Sequence, residues 1–235
     1  MIAWLLFCVP FHYLRRLGLR RPGGSPRPWP QRFLGGVAWI AGIDVRVEGK
    51  RAGRSTFLLA NHVSWIDITA LAGVSGTAFV AHDGLAGIPL LRWLCSLNDT
   101  VFIARHDRTS VHRQVEQVRA AIAEGGALTI FPEGTTSDGT GLLPFKSSLL
   151  SAFDPPPEGV AIQPVLLDYG PEAASAAWVG DEPGLDNFLG ILARARPVAL
   201  TIRFLPPLEG EALSGRKAIA AAAQTAILAA MRWKS

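Results

Sequence analysis

TFLLANHVSWID, residues 56–67, is the stretch whose reading decides the fold. Thr56–Ala60 is a short unbroken apolar run of the kind found in a strand covered on both faces. Asn61 ends it, and Ser64 with Asp67 three positions later opens a helix in the S-x-x-D capping pattern. A buried strand that runs directly into a helix is the unit of α/β folds. Working outward, similar runs at 78–81, 100–104, 127–131, 160–167 and 198–204 read as strands. Helical patterns at 66–74, 89–97, 109–124, 145–153 and 216–233 alternate with them, and 170–186 reads as an irregular connection holding one strand around Trp178. The expected fold class is α/β, a mixed, mostly parallel sheet flanked by helices.

Composition limits the function classes. The chain has 235 residues, 49% hydrophobic and 18% charged, which is the balance of a domain with a sizeable core and excludes intrinsic disorder. Cys8 and Cys95 lie in no CxxC or CxxH pattern, so neither a disulfide scaffold nor structural zinc is expected. The net charge of +4 is unevenly spread: residues 1–54 hold ten Lys or Arg against Asp44 and Glu48, and the remainder is net acidic. A basic end points to an anionic partner, nucleic acid or a membrane.

The first residues choose between these partners. MIAWLLFCVPFHYL is almost wholly apolar, but it is short for a bilayer span and is interrupted by Pro10. It also lacks the basic start and small-residue cleavage site of a secretory signal. Arg15, Arg16, Arg20, Arg21, Arg27 and Arg32 follow it. Trp4, Phe7, Phe11 and Tyr13 beside these arginines read as an interfacial anchor on an anionic leaflet, the alternative being a tail that packs on the domain or on another subunit. No nucleic-acid-binding motif is present, and no nucleic-acid partner is expected. GGSPRPWP at 23–30 reads as a linker, which divides the chain into a membrane-interacting segment, 1–30, and a folded domain, 31–235.

In open α/β sheets, ligands collect beyond the carboxyl ends of the strands. Those ends here deliver Asn61, His62 and then Asp67; Arg105; and Pro132, Glu133, Gly134 and Thr135. On a continuous helix His62 and Asp67 would lie on different faces, so they meet only if His62 precedes the helix and the carboxylate reaches back. A carboxylate on one imidazole nitrogen leaves the other free to take a proton from a hydroxyl. From the residues alone, the segment reads either as that pair or as a capping box beside an ordinary loop histidine. Glu133 sits at a Pro/Gly-bounded turn, where it is either solvent-facing or part of a ligand-binding loop. Arg105 is either an anion-binding fork or half of a surface ion pair.

NHVSWID, TVFIAR, FPEGTTSDG and IQPVLL, in that order between residues 57 and 167, together resemble the four blocks of the glycerophospholipid acyltransferase family, which includes the 1-acylglycerol-3-phosphate acyltransferases. The resemblance implies His62 as general base and Asp67 as the residue that orients it. It implies Arg105, Glu133, Gly134 and Thr135 as the hold on the acceptor, and Gln163 with Pro164 as part of the fourth block. The implied reaction is transfer of a fatty acyl group from acyl-CoA or acyl-carrier protein, as co-substrate, to the free hydroxyl of a lysophospholipid, first of all 1-acylglycerol-3-phosphate to give phosphatidic acid. No metal or cofactor is implied. The alternatives are a lyso-ornithine lipid acceptor and, from another class, a non-catalytic lipid-binding membrane protein. The implied location is the cytoplasmic face of a bacterial inner membrane, held peripherally or monotopically. Where relatives often carry an arginine after Gly-Thr, this chain has Thr136; His82 and Asp99 likewise replace a lysine and a glycine frequent in the family.

Overall fold

The computed structural model describes residues 1–16, 28–53, 55–82, 89–103, 116 and 126–232. Seven strands form one sheet in the order β1 (Ile43–Glu48), β7 (Val198–Phe204), β6 (Ala161–Asp168), β2 (Thr56–Ala60), β5 (Ala127–Ile130), β3 (Ala78–His82) and β4 (Val101–Ile103). The five strands from β6 to β4 run parallel to one another. β7 is antiparallel to β6, and β1 is parallel to β7. The expected mixed, mostly parallel sheet is therefore present. β2 lies near the middle with all five residues buried, as its unbroken apolar run requires.

Alternation along β2 divides the core into two layers. Leu58 and Ala60 face a cluster that includes Ile66, Ala70 and Leu71 of α3 (Trp65–Ser75). Phe57 and Leu59 face the other way, onto Leu128, Ile162 and the Ile219, Ala223, Ile227 stripe of α7 (Arg216–Arg232). α4 (Pro89–Leu97), the short α5 (Ala173–Ala176) and α6 (Gly184–Leu192) are further helices of the body. The strand expected around Trp178 is absent, because α5 and α6 bracket that residue. Residues 147–153 form a 3₁₀ run. The helix expected over 109–124 lies outside the described residues apart from Glu116, and the basic residues Arg20, Arg21 and Arg27 also lie outside them.

Two elements were hidden in the sequence. β1, IDVRVE, is an edge strand that alternates Ile43, Val45 and Val47 with Asp44, Arg46 and Glu48, so it holds no continuous apolar run like those that mark the inner strands. α2 (Pro28–Ile40) begins inside the expected linker and crosses the expected boundary at residue 30. Proline is tolerated in the first turn of a helix because the amides there have no partner within the helix. α2 packs closely on α3 through Gly35 and Gly73: a Cβ on Gly73 would lie 2.6 Å from Gly35 Cα. α1 (Ile2–Arg16) lies on α2, with Trp4 Nε1 donating to Phe33 O at 3.2 Å and Cys8 and His12 buried. Among the described residues, no helix is long and apolar enough to cross a membrane.

Candidate active site

Parallel pairing of β2 with β5 and β6 brings three strand ends side by side, and the residues just beyond those ends build the site. After β2, Asn61 locks the end of the strand to β6: its Nδ2 donates to Leu167 O at 3.0 Å and its Oδ1 accepts from Leu167 N at 2.7 Å. The chain then passes through His62 and Val63 to Ser64, whose extended backbone (φ −155°, ψ 166°) is the N-cap of α3. His62 thus precedes the helix and Asp67 occupies its first turn, where the amides favour a negative charge.

The structure brings His62 and Asp67 together. His62 Nδ1 lies 2.8 Å from Asp67 Oδ2. The same oxygen accepts Val63 N at 2.6 Å and Ser64 N at 2.9 Å. Asp67 Oδ1 accepts the Tyr169 hydroxyl at 2.5 Å. The carboxylate is fully buried, while the His62 side chain keeps 16% of its surface. The imidazole is stacked on Phe131 with centroids 3.9 Å apart and planes 11° from parallel. One nitrogen is held by a fixed acceptor and the ring plane is set by an aromatic face, so Nε2 is the nitrogen left for a proton from outside.

Glu133, three residues beyond the end of β5, turns its side chain into the fold. Its Oε1 accepts His62 N at 2.7 Å, its Oε2 accepts Leu143 N at 2.8 Å, and the residue is 1% exposed. The carboxylate clamps the His62 main chain to the 131–143 loop rather than opening toward a ligand. Ser137 adds to this clamp, its N and Oγ both donating to His62 O at 2.8 and 3.1 Å. Burial pushes the Glu133 carboxyl up to about 7, against the two amides and the His62 charge that lower it.

The sign of that shift fixes a pH prediction. Below about pH 4.5 the carboxyl is neutral in both folded and unfolded chains; as pH rises toward 7 only the unfolded chain ionises, so stability is lost across that window. The loss is on the order of 3 kcal/mol. Urea denaturation of Glu133→Gln at pH 5 and pH 8 should show a weaker pH dependence than the unsubstituted protein. Equal slopes would mean that Glu133 is not the group responsible.

Gly134 and Thr135 lie on the rim of the turn. Gly134 takes φ +71°, a conformation that favours glycine. A Cβ there would lie 3.1 Å from Lys146 Nζ, which places that ammonium directly over the turn. Lys146 N donates to Pro132 O at 2.8 Å, fixing the lysine backbone to the same loop. Thr135 is exposed. Thr136, at the position where relatives often carry arginine, donates its hydroxyl to Trp178 O and so is turned into the fold. Gln163 is a buried brace, accepting Ala52 N and donating to Lys50 O and Leu205 O. Arg105 lies outside the described residues.

Tyr169 is a site residue that the sequence did not announce. The rule that picks out His62 and Glu133, inspection of residues just after each strand, applies equally to β6, whose last residue is Asp168. An apolar run ending in Asp-Tyr looks like the start of a loop, and nothing local shows that the tyrosine reaches across two strand ends.

Comparison with known proteins agrees with this geometry. The profile of the acyltransferase family matches residues 43–168. The lyso-ornithine lipid O-acyltransferase of Rhodobacter capsulatus is 32% identical, over all of this chain and 88% of its own length. That of Rhizobium meliloti is 36% identical over 72% of this chain and 63% of its own length. A 1-acyl-sn-glycerol-3-phosphate acyltransferase of Neisseria gonorrhoeae is 34% identical over 63% of this chain and 59% of its own length. The crystal structure of PlsC, the 1-acyl-sn-glycerophosphate acyltransferase of Thermotoga maritima, superposes with a TM-score of 0.66 over 97% of this chain and 89% of that one. At 21% identity this last likeness shows a shared fold. With a family profile spanning more than half its length and relatives that match nearly end to end, this chain belongs to the acyltransferase family, the glycerophospholipid acyltransferases that its four motifs resemble.

Proposed function

We propose that the protein transfers a fatty acyl group from a thioester donor to the free hydroxyl of a lyso-lipid, with His62 as general base. The observation that carries this reading is the imidazole pinned by Asp67 at 2.8 Å beyond the carboxyl end of β2. The acceptor hydroxyl gives its proton to Nε2 as its oxygen attacks the thioester carbonyl. The C–S bond then breaks, and the imidazolium returns the proton to the departing thiolate. Asp67 stabilises the transient cation, and an activated thioester needs no covalent enzyme intermediate. Acyl-CoA and acyl-carrier protein both supply such a thioester.

For the acceptor, lyso-ornithine lipid is preferred over 1-acylglycerol-3-phosphate, the reverse of the order expected from the motifs. The relatives that match most of this chain act on lyso-ornithine lipid by name. Thr136 supplies no cation for a phosphate. Around the same turn stand a cation, Lys146, and an exposed anion, Asp138, whose carboxyl is held below the usual range by the Thr140 amide and hydroxyl. A pair of opposite charges suits a head group with a carboxylate and an amine better than a phosphate. Assaying the protein with a labelled acyl thioester and both lyso-lipids should give diacylated product chiefly from lyso-ornithine lipid. Asp138→Asn should raise KM for that acceptor about threefold, the modest effect expected of an exposed charge pair. A clear preference for the phosphate acceptor would restore the order expected from the motifs, and no transfer to either would leave a lipid-binding protein.

We also infer that α1 and the exposed end of α2 lie on an anionic membrane surface. Ile2, Leu6, Phe7 and Leu14 on α1 and Trp39 on α2 are exposed, while the opposite face of α1 packs on α2. The Arg32 guanidinium stands 4.7 Å over the Trp29 ring, beside a stack of Trp29 on Phe11. Aromatic rings next to guanidinium groups favour the headgroup zone. Leu6→Glu with Phe7→Glu should cut sedimentation with phosphatidylglycerol vesicles about tenfold or more, two buried apolar side chains contributing several kcal/mol. Unchanged sedimentation would refute the docking face.

A further inference from the structure

We propose that Tyr169 is a positioning residue for acyl transfer: its hydroxyl, presented from the end of β6 and bonded to Asp67 Oδ1 at 2.5 Å, holds the carboxylate in the orientation that serves His62 and moderates how strongly that carboxylate draws on the imidazolium. The inference rests on the base role proposed for His62 and deepens it.

Asp67 uses its two oxygens unequally. Oδ2 faces the peptide amides of Val63 and Ser64 and the ring of His62. Oδ1 faces the Tyr169 hydroxyl across the sheet end. That hydroxyl fixes the torsion of the carboxylate from the Oδ1 side; without it, a small rotation would move Oδ2 out of line with Nδ1. Tyr169 is itself 3% exposed and clamped by packing in the core on the α3 face, so its hydroxyl is pre-placed rather than recruited. Burial and the adjacent Asp67 charge raise its ionisation well above that of a free phenol, so it stays a donor.

The hydroxyl also takes up part of the carboxylate's charge, since a hydrogen bond to an anion is strong and short. Weakening the donor therefore leaves more negative charge facing Nδ1, which favours positive charge on the ring during turnover. The titratable groups around Asp67 are few among the described residues. His62 faces it from the β2 end, Tyr169 from the β6 end, and Glu133 from the β5 end couples to it through charge. Asp168, the neighbour of Tyr169, is paired with Arg203 at 3.3 Å.

The test is the pH–rate profile of the full-length protein, with a lyso-lipid acceptor and an acyl thioester. Tyr169→Phe should lower kcat about tenfold with KM within about twofold, as expected for loss of a bond to a charged group that the substrate never touches. Its acid limb should move to higher pH. Because the chain has two tyrosines, growth on 3-fluorotyrosine in a Tyr13→Phe background labels position 169 alone. That more acidic hydroxyl is a stronger donor, so the acid limb should move to lower pH. The fluorinated protein keeps the ring and its packing, and so answers the question if the phenylalanine variant does not fold. Opposite displacements of the two limbs, or displacement of the fluorotyrosine limb alone, support the positioning role. An acid limb that stays in place in the fluorotyrosine protein overturns it, whatever happens to kcat or Tm. His62→Ala in the same assay separates the two claims: an active His62→Ala protein removes the base itself, whereas an inactive one with an unmoved limb removes only Tyr169.

Discussion

His62→Ala is expected to lose acyl transfer by about 10²–10⁴-fold in kcat/KM while remaining folded. The loss comes from the geometry: the imidazole is held by Asp67 at 2.8 Å, and its other nitrogen faces away from that carboxylate. Alanine provides no proton acceptor, so the hydroxyl must attack while still protonated or give its proton to water. The structural consequence is mild. The side chain is 16% exposed and its main packing partner is Phe131. An aromatic stack of this kind contributes about 0.5–1.5 kcal/mol beyond area burial. The peptide N and O of His62, bonded to Glu133 and Ser137, do not change with the side chain. Steady-state kinetics beside a circular-dichroism melt is the measurement. Activity within a few-fold of the unsubstituted protein would remove His62 from the mechanism.

Asp67 should separate charge from scaffolding. Asp67→Ala removes the acceptor of Val63 N, Ser64 N, the Tyr169 hydroxyl and the His62 ring. Each buried donor left without a partner costs about 1–3 kcal/mol, so three or four together approach the whole stability of a domain. That variant should express poorly or melt far below the unsubstituted protein. Asp67→Asn is the informative change. With its oxygen on the His62 side, the amide still accepts from Val63, Ser64 and Nδ1, and its NH₂ can donate to a rotated Tyr169 hydroxyl. The melt should fall only modestly, but the negative charge opposite the developing imidazolium is gone. A loss of kcat by about 10²–10⁴-fold is expected, of the size seen when a triad carboxylate becomes an amide. Retention of kcat within about threefold would show that Asp67 acts as a helix cap alone.

The two roles that the sequence suggests for Asp67 are therefore not alternatives. The S-x-x-D pattern makes it the residue whose carboxylate reaches back to Ser64 N, and the same reach places Oδ2 on the His62 ring. One carboxylate caps the helix and holds the imidazole because both donors lie within the turn that precedes α3. This is a local relationship, and a short stretch of chain is enough to anticipate it. Glu133 shows the opposite. FPEGT identifies an important glutamate at a turn, but its partners are the amides of His62 and Leu143, on a different strand end and on the far side of the loop. Local sequence gives a side chain's chemistry and its neighbourhood in the turn, and cannot give the direction in which a buried carboxylate is used.

What the amino-acid order determined by itself was whatever repeats at short range. The short continuous apolar runs bounded by turn residues pointed to strands covered on both sides, and the residue types at their ends pointed to acid–base chemistry. Strand order and pairing partners were decided by tertiary structure. So were the antiparallel joining of β7 to β6, the helix hidden behind two prolines, and the convergence of His62, Glu133 and Tyr169. These depend on which distant surfaces bury each other and on which donors a buried oxygen meets. Tyr169 reaches Asp67 across 102 positions of chain, a separation at which periodicity carries no information and only the packing of β6 against β2 sets the distance.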